Sequence, residues 1–238
     1  MTRLEILKLA GVGCLVCLHW ILFYGAIKYS NVSITLSCLA TTSFMTSILE
    51  PIITRTKPKL YELGLGFLII PGIYLIFYFT DFHYRTGILM GLISALLAAI
   101  FPVLNKIFVE KHEPRSMTFI ELSSGLVFLT LLMPFYFYFL PELEFIPTGN
   151  DWFYLIVLAI GCTTLPFVLA LRALKQLSAF ASTLAVNLEP IYGIIMAMFI
   201  FNENKDLDDR FYLGTLIILS AVFLHPILKR VFDKKGNH

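Results

Sequence analysis

Eight apolar stretches, each about 20 residues long and separated by short polar breaks, leave this chain few ways to fold. A helix rising 1.5 Å per residue needs about 20 residues to cross a hydrocarbon core of about 30 Å. The stretches near residues 7–28, 32–53, 61–79, 86–108, 117–140, 152–174, 179–201 and 211–229 meet that length. Of the 238 residues, 58% are hydrophobic and 14% charged, too few polar groups to cover a soluble globule of this size. Transmembrane strands would be about half as long and would alternate apolar with polar side chains, which these stretches do not. The predicted class is all-α: a polytopic integral membrane helix bundle with eight transmembrane helices and no soluble domain.

Basic residues are retained on the cytoplasmic side of a membrane, so they orient the bundle. With eight spans both termini share a side, and that side collects 14 of the 18 Lys and Arg residues. The other side holds Lys28, Arg85, Lys205 and Arg210. This split predicts a multi-pass membrane protein with both termini cytoplasmic. The aromatic runs DWFY at 151–154 and FYFYF at 135–139 then anchor the outer interface. The first apolar run is longer than a signal-peptide core, contains His19 and Trp20 and lacks a small-residue exit, so it is read as a retained span. A formal charge of +2 with scattered basic clusters gives no nucleic-acid surface. Cys14, Cys17, Cys38 and Cys162 all lie in apolar runs, where thiols serve as packing residues. The CxxC at Cys14 and Cys17 has no second ligand pair, so no metal site and no cofactor is expected.

Two internal echoes emerge. GAIKYSNVSITLS at 25–37 matches RALKQLSAFASTL at 172–184 with an offset of 147, and YELGLGFLII at 61–70 matches FYLGTLIILS at 211–220 with an offset of 150. Spans one to three thus echo spans six to eight. A displacement of five helices reverses the direction in which the membrane is crossed, which makes the copies inverted repeats, a transporter signature. Spans four and five have no counterparts ahead of span one. A full five-helix first copy would need about 60 further residues at the front. The division expected is an incomplete first repeat of three helices over 1–80 and a complete five-helix repeat over 86–230.

RALKQLSAFASTLAVNLEPIYGIIMAMFIFNE followed by FYLGTLIILSAVFLHPILKR resembles the last three helices of an EamA domain of the drug/metabolite transporter superfamily. Pro190 within the helix, Glu203 at its outer end and Gly214 entering the final span carry the resemblance, and HWILFYGAIKYSNVSITL to YELGLGFLIIPGIYLIF is similar to the same helices of a first copy. The resemblance implies a ten-helix carrier of two inverted five-helix repeats, moving a small metabolite through a central cavity by alternating access. This chain departs from it by lacking the first two helices.

Glu189 lies ten residues beyond Ala179, about 15 Å into the membrane and close to its midplane. A charge there costs on the order of 3 kcal/mol on insertion scales, and intramembrane ionisable groups default to functional hypotheses. Glu189 either faces a cavity, exchanging a proton or meeting a substrate amine, or bonds a neighbouring helix. Pro190 removes an intrahelical hydrogen bond and frees the Val186 carbonyl. Asn187 points to a different helix face and either bridges helices or sees the cavity. His19 and Trp20, midway along span one, relay protons and stack on a substrate, or bond a carbonyl and pack. Asn105 is a further substrate-binding or coupling candidate, whereas neighbouring Lys106 snorkels to the interface. Glu121 reads as a helix-start carboxylate. Glu50, in the LEP of 49–51, echoes the LEP of 188–190 without sharing the repeat offset.

The expected function is secondary transport of small metabolites, with proton coupling through Glu189. The partners are the metabolite and the lipid bilayer, with no nucleic acid and a homodimer left open. A truncated, inactive or accessory membrane fragment is the alternative. An intramembrane enzyme is disfavoured: there is no HExxH, the five His residues are dispersed, no Gly-rich phosphate loop appears, and no catalytic residue is assigned.

Overall fold

The computed structural model describes residues 1–57, 60–139, 146–186, 188–203 and 207–235. Among them every regular element is helical: α1 (Arg3–Tyr29), α2 (Val32–Leu39), α3 (Thr42–Thr54), α4 (Leu60–Phe79), α5 (Arg85–Val109), α6 (Pro114–Phe139), α7 (Asp151–Ile156), α8 (Leu165–Leu174), α9 (Ala179–Val186), α10 (Glu189–Ile200) and α11 (Asp209–Lys235). Among the described residues five stretches are long and apolar enough to cross a membrane: Arg3–Tyr29, Val32–Thr54, Phe82–Val109, Pro114–Phe139 and Asp151–Leu174. Helices also occupy the other three expected stretches, as α4, the α9 and α10 pair, and α11.

Three stretches expected to be regular are not, each for a local reason. The second breaks between Leu39 and Thr42. There the Thr41 and Thr42 hydroxyls donate to the Cys38 and Leu39 carbonyls at 2.7 and 2.6 Å, competing with backbone amides for those acceptors. The seventh breaks between Val186 and Glu189, because Pro190 has no N–H to offer the Val186 carbonyl and sits instead in the first turn of α10, where none is needed. Between α7 and α8 the chain winds as a π-helix over Val157–Thr164, with the Thr164 hydroxyl donating to the Ala159 carbonyl at 2.8 Å and Pro166 following at the start of α8. Pro51, Pro71, Pro102 and Pro134, by contrast, lie inside continuous helices. Neighbouring helices and local adjustment accommodate such prolines in membrane proteins.

The chain divides into two compact units. The first comprises Met1–Cys17 and Leu104–Ser178. In it α8 packs on α6, and α1 approaches α6 through glycines: a Cβ on Gly125 would stand 3.4 Å from the Gly13 carbonyl oxygen. The α8 C-terminus is held by Lys106, whose ammonium donates to the Leu174 carbonyl at 2.9 Å, a favourable place for a cation at the negative end of a helix. The Lys106 side chain therefore has a helix-capping partner. Trp152, Phe153 and Tyr154 and the 135–139 aromatics are exposed.

The second unit comprises Leu18–Val103 and Ala179–His238. Its most extensive pairing is α4 against α11, with Ile69, Ile76, Phe211 and Ile218 buried between them. Lipid is as apolar as these side chains, so close van der Waals packing and small residues must hold the pair together. Gly72 and Gly214 supply the close approach: a Cβ on Gly214 would meet the Gly72 carbonyl oxygen at 2.7 Å, and one on Gly72 would meet the Gly214 oxygen at 2.8 Å. Gly64, the repeat counterpart of Gly214 at an offset of 150, makes no such approach: a Cβ there would meet nothing within 4 Å.

Candidate functional site

The two broken stretches share one register. Val32 to Ala179, Leu39 to Val186 and Thr42 to Glu189 are each 147 residues, so both helix pairs start, stop and resume at corresponding positions. The terminators correspond as well. Arg55 after α3 and Asn202 after α10, again 147 apart, are the two non-glycine residues with positive φ among the described residues, at 57° and 56°. A left-handed residue is the usual way to end a helix, and Asn tolerates it better than most side chains. The pairs also embrace each other: α2 packs on α10 and α3 on α9, with Leu36 of α2 filling the space beside Gly193.

A carboxylate secures each start. The backbone N–H groups of Val32 and Ser33 donate to Glu203 at 3.0 and 2.8 Å. The Ile34 N–H donates to the Asn31 side chain at 2.8 Å, so the first three amides of α2 all have acceptors, and the Thr35 N–H makes the first intrahelical bond, to the Asn31 carbonyl at 3.2 Å. At the opposite end, Ala179 and Phe180 N–H groups donate to Glu50 at 3.2 and 2.9 Å. Thus the acid just beyond α10 caps α2, and the acid within α3 caps α9. Val32 and Glu50 are separated by about 27 Å of helical rise, so the two clamps sit at opposite ends of the helix assembly. Each is favoured by the positive end of a helix dipole as well as by two charge-assisted hydrogen bonds.

Glu50 is the residue sequence reasoning missed. Its positional counterpart at an offset of 147 is Ala197, and that of Glu203 is Thr56. The repeated feature is the pair of helix starts being capped, while the capping acids come from non-equivalent positions. Comparing motifs therefore could not reveal it. The available signal was different: each broken helix needs an acceptor for its first amides, and each has an acid near the end of its companion.

The other candidates fall into separate places. Glu189 opens α10 at its break with an exposed side chain, and Pro190 beside it is buried. Its positional counterpart, Thr42, is buried and donates its hydroxyl to the Leu39 carbonyl at the end of α2. Asn187 lies outside the described residues. His19 is buried, with Nδ1 at 2.9 Å from the Ser94 carbonyl oxygen and 2.8 Å from its hydroxyl. A carbonyl only accepts, so Nδ1 carries the hydrogen; the Ser94 hydroxyl in turn donates to the His19 carbonyl at 3.0 Å. The imidazole is further enclosed by Phe23 and Phe101. Trp20 is half-buried. Asn105 and Glu121 are both 1% exposed and bonded to each other, Nδ2 donating to Oε2 at 3.1 Å. Because α6 begins at Pro114, two turns earlier, Glu121 does not cap its start. Gly214 holds α11 against α4, as described above.

Comparison with known proteins agrees with this architecture. An "Uncharacterized transporter" from Archaeoglobus fulgidus is 29% identical over 138 residues, which is 58% of this chain and 47% of that protein. The chain therefore spans about half the length of the curated relative it matches. A solved crystal structure at 12% identity superposes with a TM-score of 0.64 over 95% of this chain and 78% of the other, a likeness of fold. The EamA-like transporter family model matches residues 85–225, which takes in α5 to α10, the α9–α10 break and Gly214. On that match, over more than half of its length, the chain belongs to the EamA-like transporter family.

Proposed function

We propose that this protein is a secondary transporter of small metabolites that works by alternating access, residing in the inner membrane with both termini cytoplasmic. In this reading residues 1–80 form an incomplete first repeat and 86–230 a complete second one, crossing the membrane in opposite senses. Family membership supports a transporter rather than an enzyme. The observation that carries the mechanism is the common register of the two broken helices together with their reciprocal carboxylate clamps. Two equivalent elements facing opposite sides are what alternating exposure requires. Releasing the Glu203 clamp loosens one end of the assembly while the Glu50 clamp holds the other, and the reverse exchange opens the opposite side.

Glu189 is the coupling or substrate-contacting group in this scheme, with Asn187, His19, Trp20 and Asn105 as further contributors. It places a carboxyl at the resumption of a broken helix, where half-helix ends and unpaired backbone meet substrates and ions. The Val186 carbonyl, deprived of its partner by Pro190, supplies an acceptor at the same break.

The test is flux. The full chain in proteoliposomes with an imposed pH gradient is screened against a panel of amino acids, small organic ions and neutral metabolites. Transport of at least one class above empty vesicles is expected, and Glu189→Gln should transport without responding to the gradient. Retained pH dependence in that variant removes Glu189 from coupling. Flux no greater than in empty vesicles for the whole panel favours an inactive or accessory fragment.

A further inference from the structure

We propose that Glu121 and Asn105 form a proton-binding site. Asn105 Nδ2 donates to Oε2 of Glu121 at 3.1 Å, while the remaining oxygen of each group, Oε1 of Glu121 and Oδ1 of Asn105, is buried without a hydrogen-bond partner. Buried polar atoms are almost always satisfied, so two orphaned acceptors on one bonded pair require an explanation. Both are oxygens and neither carries hydrogen while the carboxyl is ionised. Rotating the amide changes nothing, since an amide presents one donor and one acceptor to a carboxylate that has only acceptors.

One added proton resolves both. Taken from hydronium or water, it forms an O–H bond at Oε1; that hydroxyl then donates to Oδ1 while Nδ2 continues to donate to Oε2. The result is a closed acid–amide ring, and release reverses the same step with no other bond broken. Among the described residues the surroundings offer no competing charge. On α5, Lys106 directs its ammonium to the Leu174 carbonyl and to Glu110, 3.5 Å away. On α1, the helix approaching this turn of α6, the titratable neighbours are the thiols of Cys14 and Cys17; on α8, Arg172 is exposed. Among the described residues no cation pairs with Glu121. An ionised carboxylate so placed, with a single amide as donor, would be poorly compensated for leaving water.

If the chain is the carrier proposed above, this pair holds a proton that transport can exchange, in addition to any exchanged at Glu189. That extension rests on the transport reading; the site itself does not.

Infrared difference spectroscopy of the full chain in lipid nanodiscs, titrated from acid to alkaline buffer, tests the site. A carboxylic-acid carbonyl band should be present in the wild type and lost in Glu121→Gln, whose amide still bonds Asn105 and keeps the fold. In Asn105→Val the band should persist and move to higher wavenumber, because the carbonyl oxygen has lost its donor. Spectra identical in the wild type and Glu121→Gln overturn the proposal, as does an Asn105→Val band that does not move. A band that behaves as expected, in protein whose liposomes show no pH-driven flux of any panel metabolite, supports the proton site and overturns the coupling role.

Discussion

Gly214→Val should lower the stability of the protein by about 3 kcal/mol, the upper part of the range for overpacking a tight interface. The first added carbon alone would stand 2.7 Å from the Gly72 carbonyl oxygen and 3.1 Å from Ile76 and Leu75. A backbone atom cannot rotate away as a flexible side chain can, so α4 and α11 must separate along the most extensive helix pairing in their unit. Contacts throughout the seam weaken together, because association in lipid depends on close approach. The measurement is the thermal midpoint of the detergent-solubilised protein, with a fall on the order of 10 °C expected for a chain of this size. Gly64→Ala on the same α4 serves as the control: open space surrounds that position, and alanine is the better helix former by about 1 kcal/mol. If both variants melt like the wild type, Gly72 and Gly214 are not the contact described.

Glu203→Ala should cost about 3 kcal/mol, and the loss should be concentrated at one place in the chain. Glu203 is 7% exposed, and removing its carboxylate leaves the Val32 and Ser33 amides without acceptors where water does not readily replace them. Hydrogen bonds to a charged group contribute about 1.5–3 kcal/mol each, offset in part by the cost of burying the carboxylate itself. Hydrogen exchange at Val32 and Ser33 should accelerate markedly, while Ile34, still capped by the Asn31 side chain, changes less. Glu203→Gln should fall between, since one oxygen still accepts while its NH2 faces the second amide. Glu50→Ala should cost less than Glu203→Ala, because Glu50 is only half-buried and water can reach the freed amides of α9. Unchanged protection of Val32 and Ser33 in Glu203→Ala would show that the carboxylate is not what caps α2.

The paired breaks show how far local chemistry reaches. The break at Val186 follows from Pro190, one residue whose missing N–H acts four positions back. That consequence is legible in the string LAVNLEPIY. The break after Leu39 follows from Thr41 and Thr42, but the same hydroxyls sit harmlessly elsewhere, as Thr46 does inside α3 while bonding the Thr42 carbonyl at 2.9 Å. Hydroxyl residues alone therefore did not mark the discontinuity. Glu121 illustrates the opposite failure. Its nearness to PRSM suggested a helix start, and only the true start at Pro114 and the arrival of Asn105 from α5 reveal a buried acid–amide pair.

From the chain alone follow the helical class, the membrane as solvent and the 147-residue register, for these depend on run length, composition and breakers acting within a few residues. Tertiary structure decided which acid meets which helix start. The Glu50 clamp joins residues 129 apart and the Glu203 clamp residues 171 apart, distances in sequence that no local preference spans. It likewise set Gly72 against Gly214, because close packing in lipid depends on which faces of two helices meet, and that is settled only when both are in place.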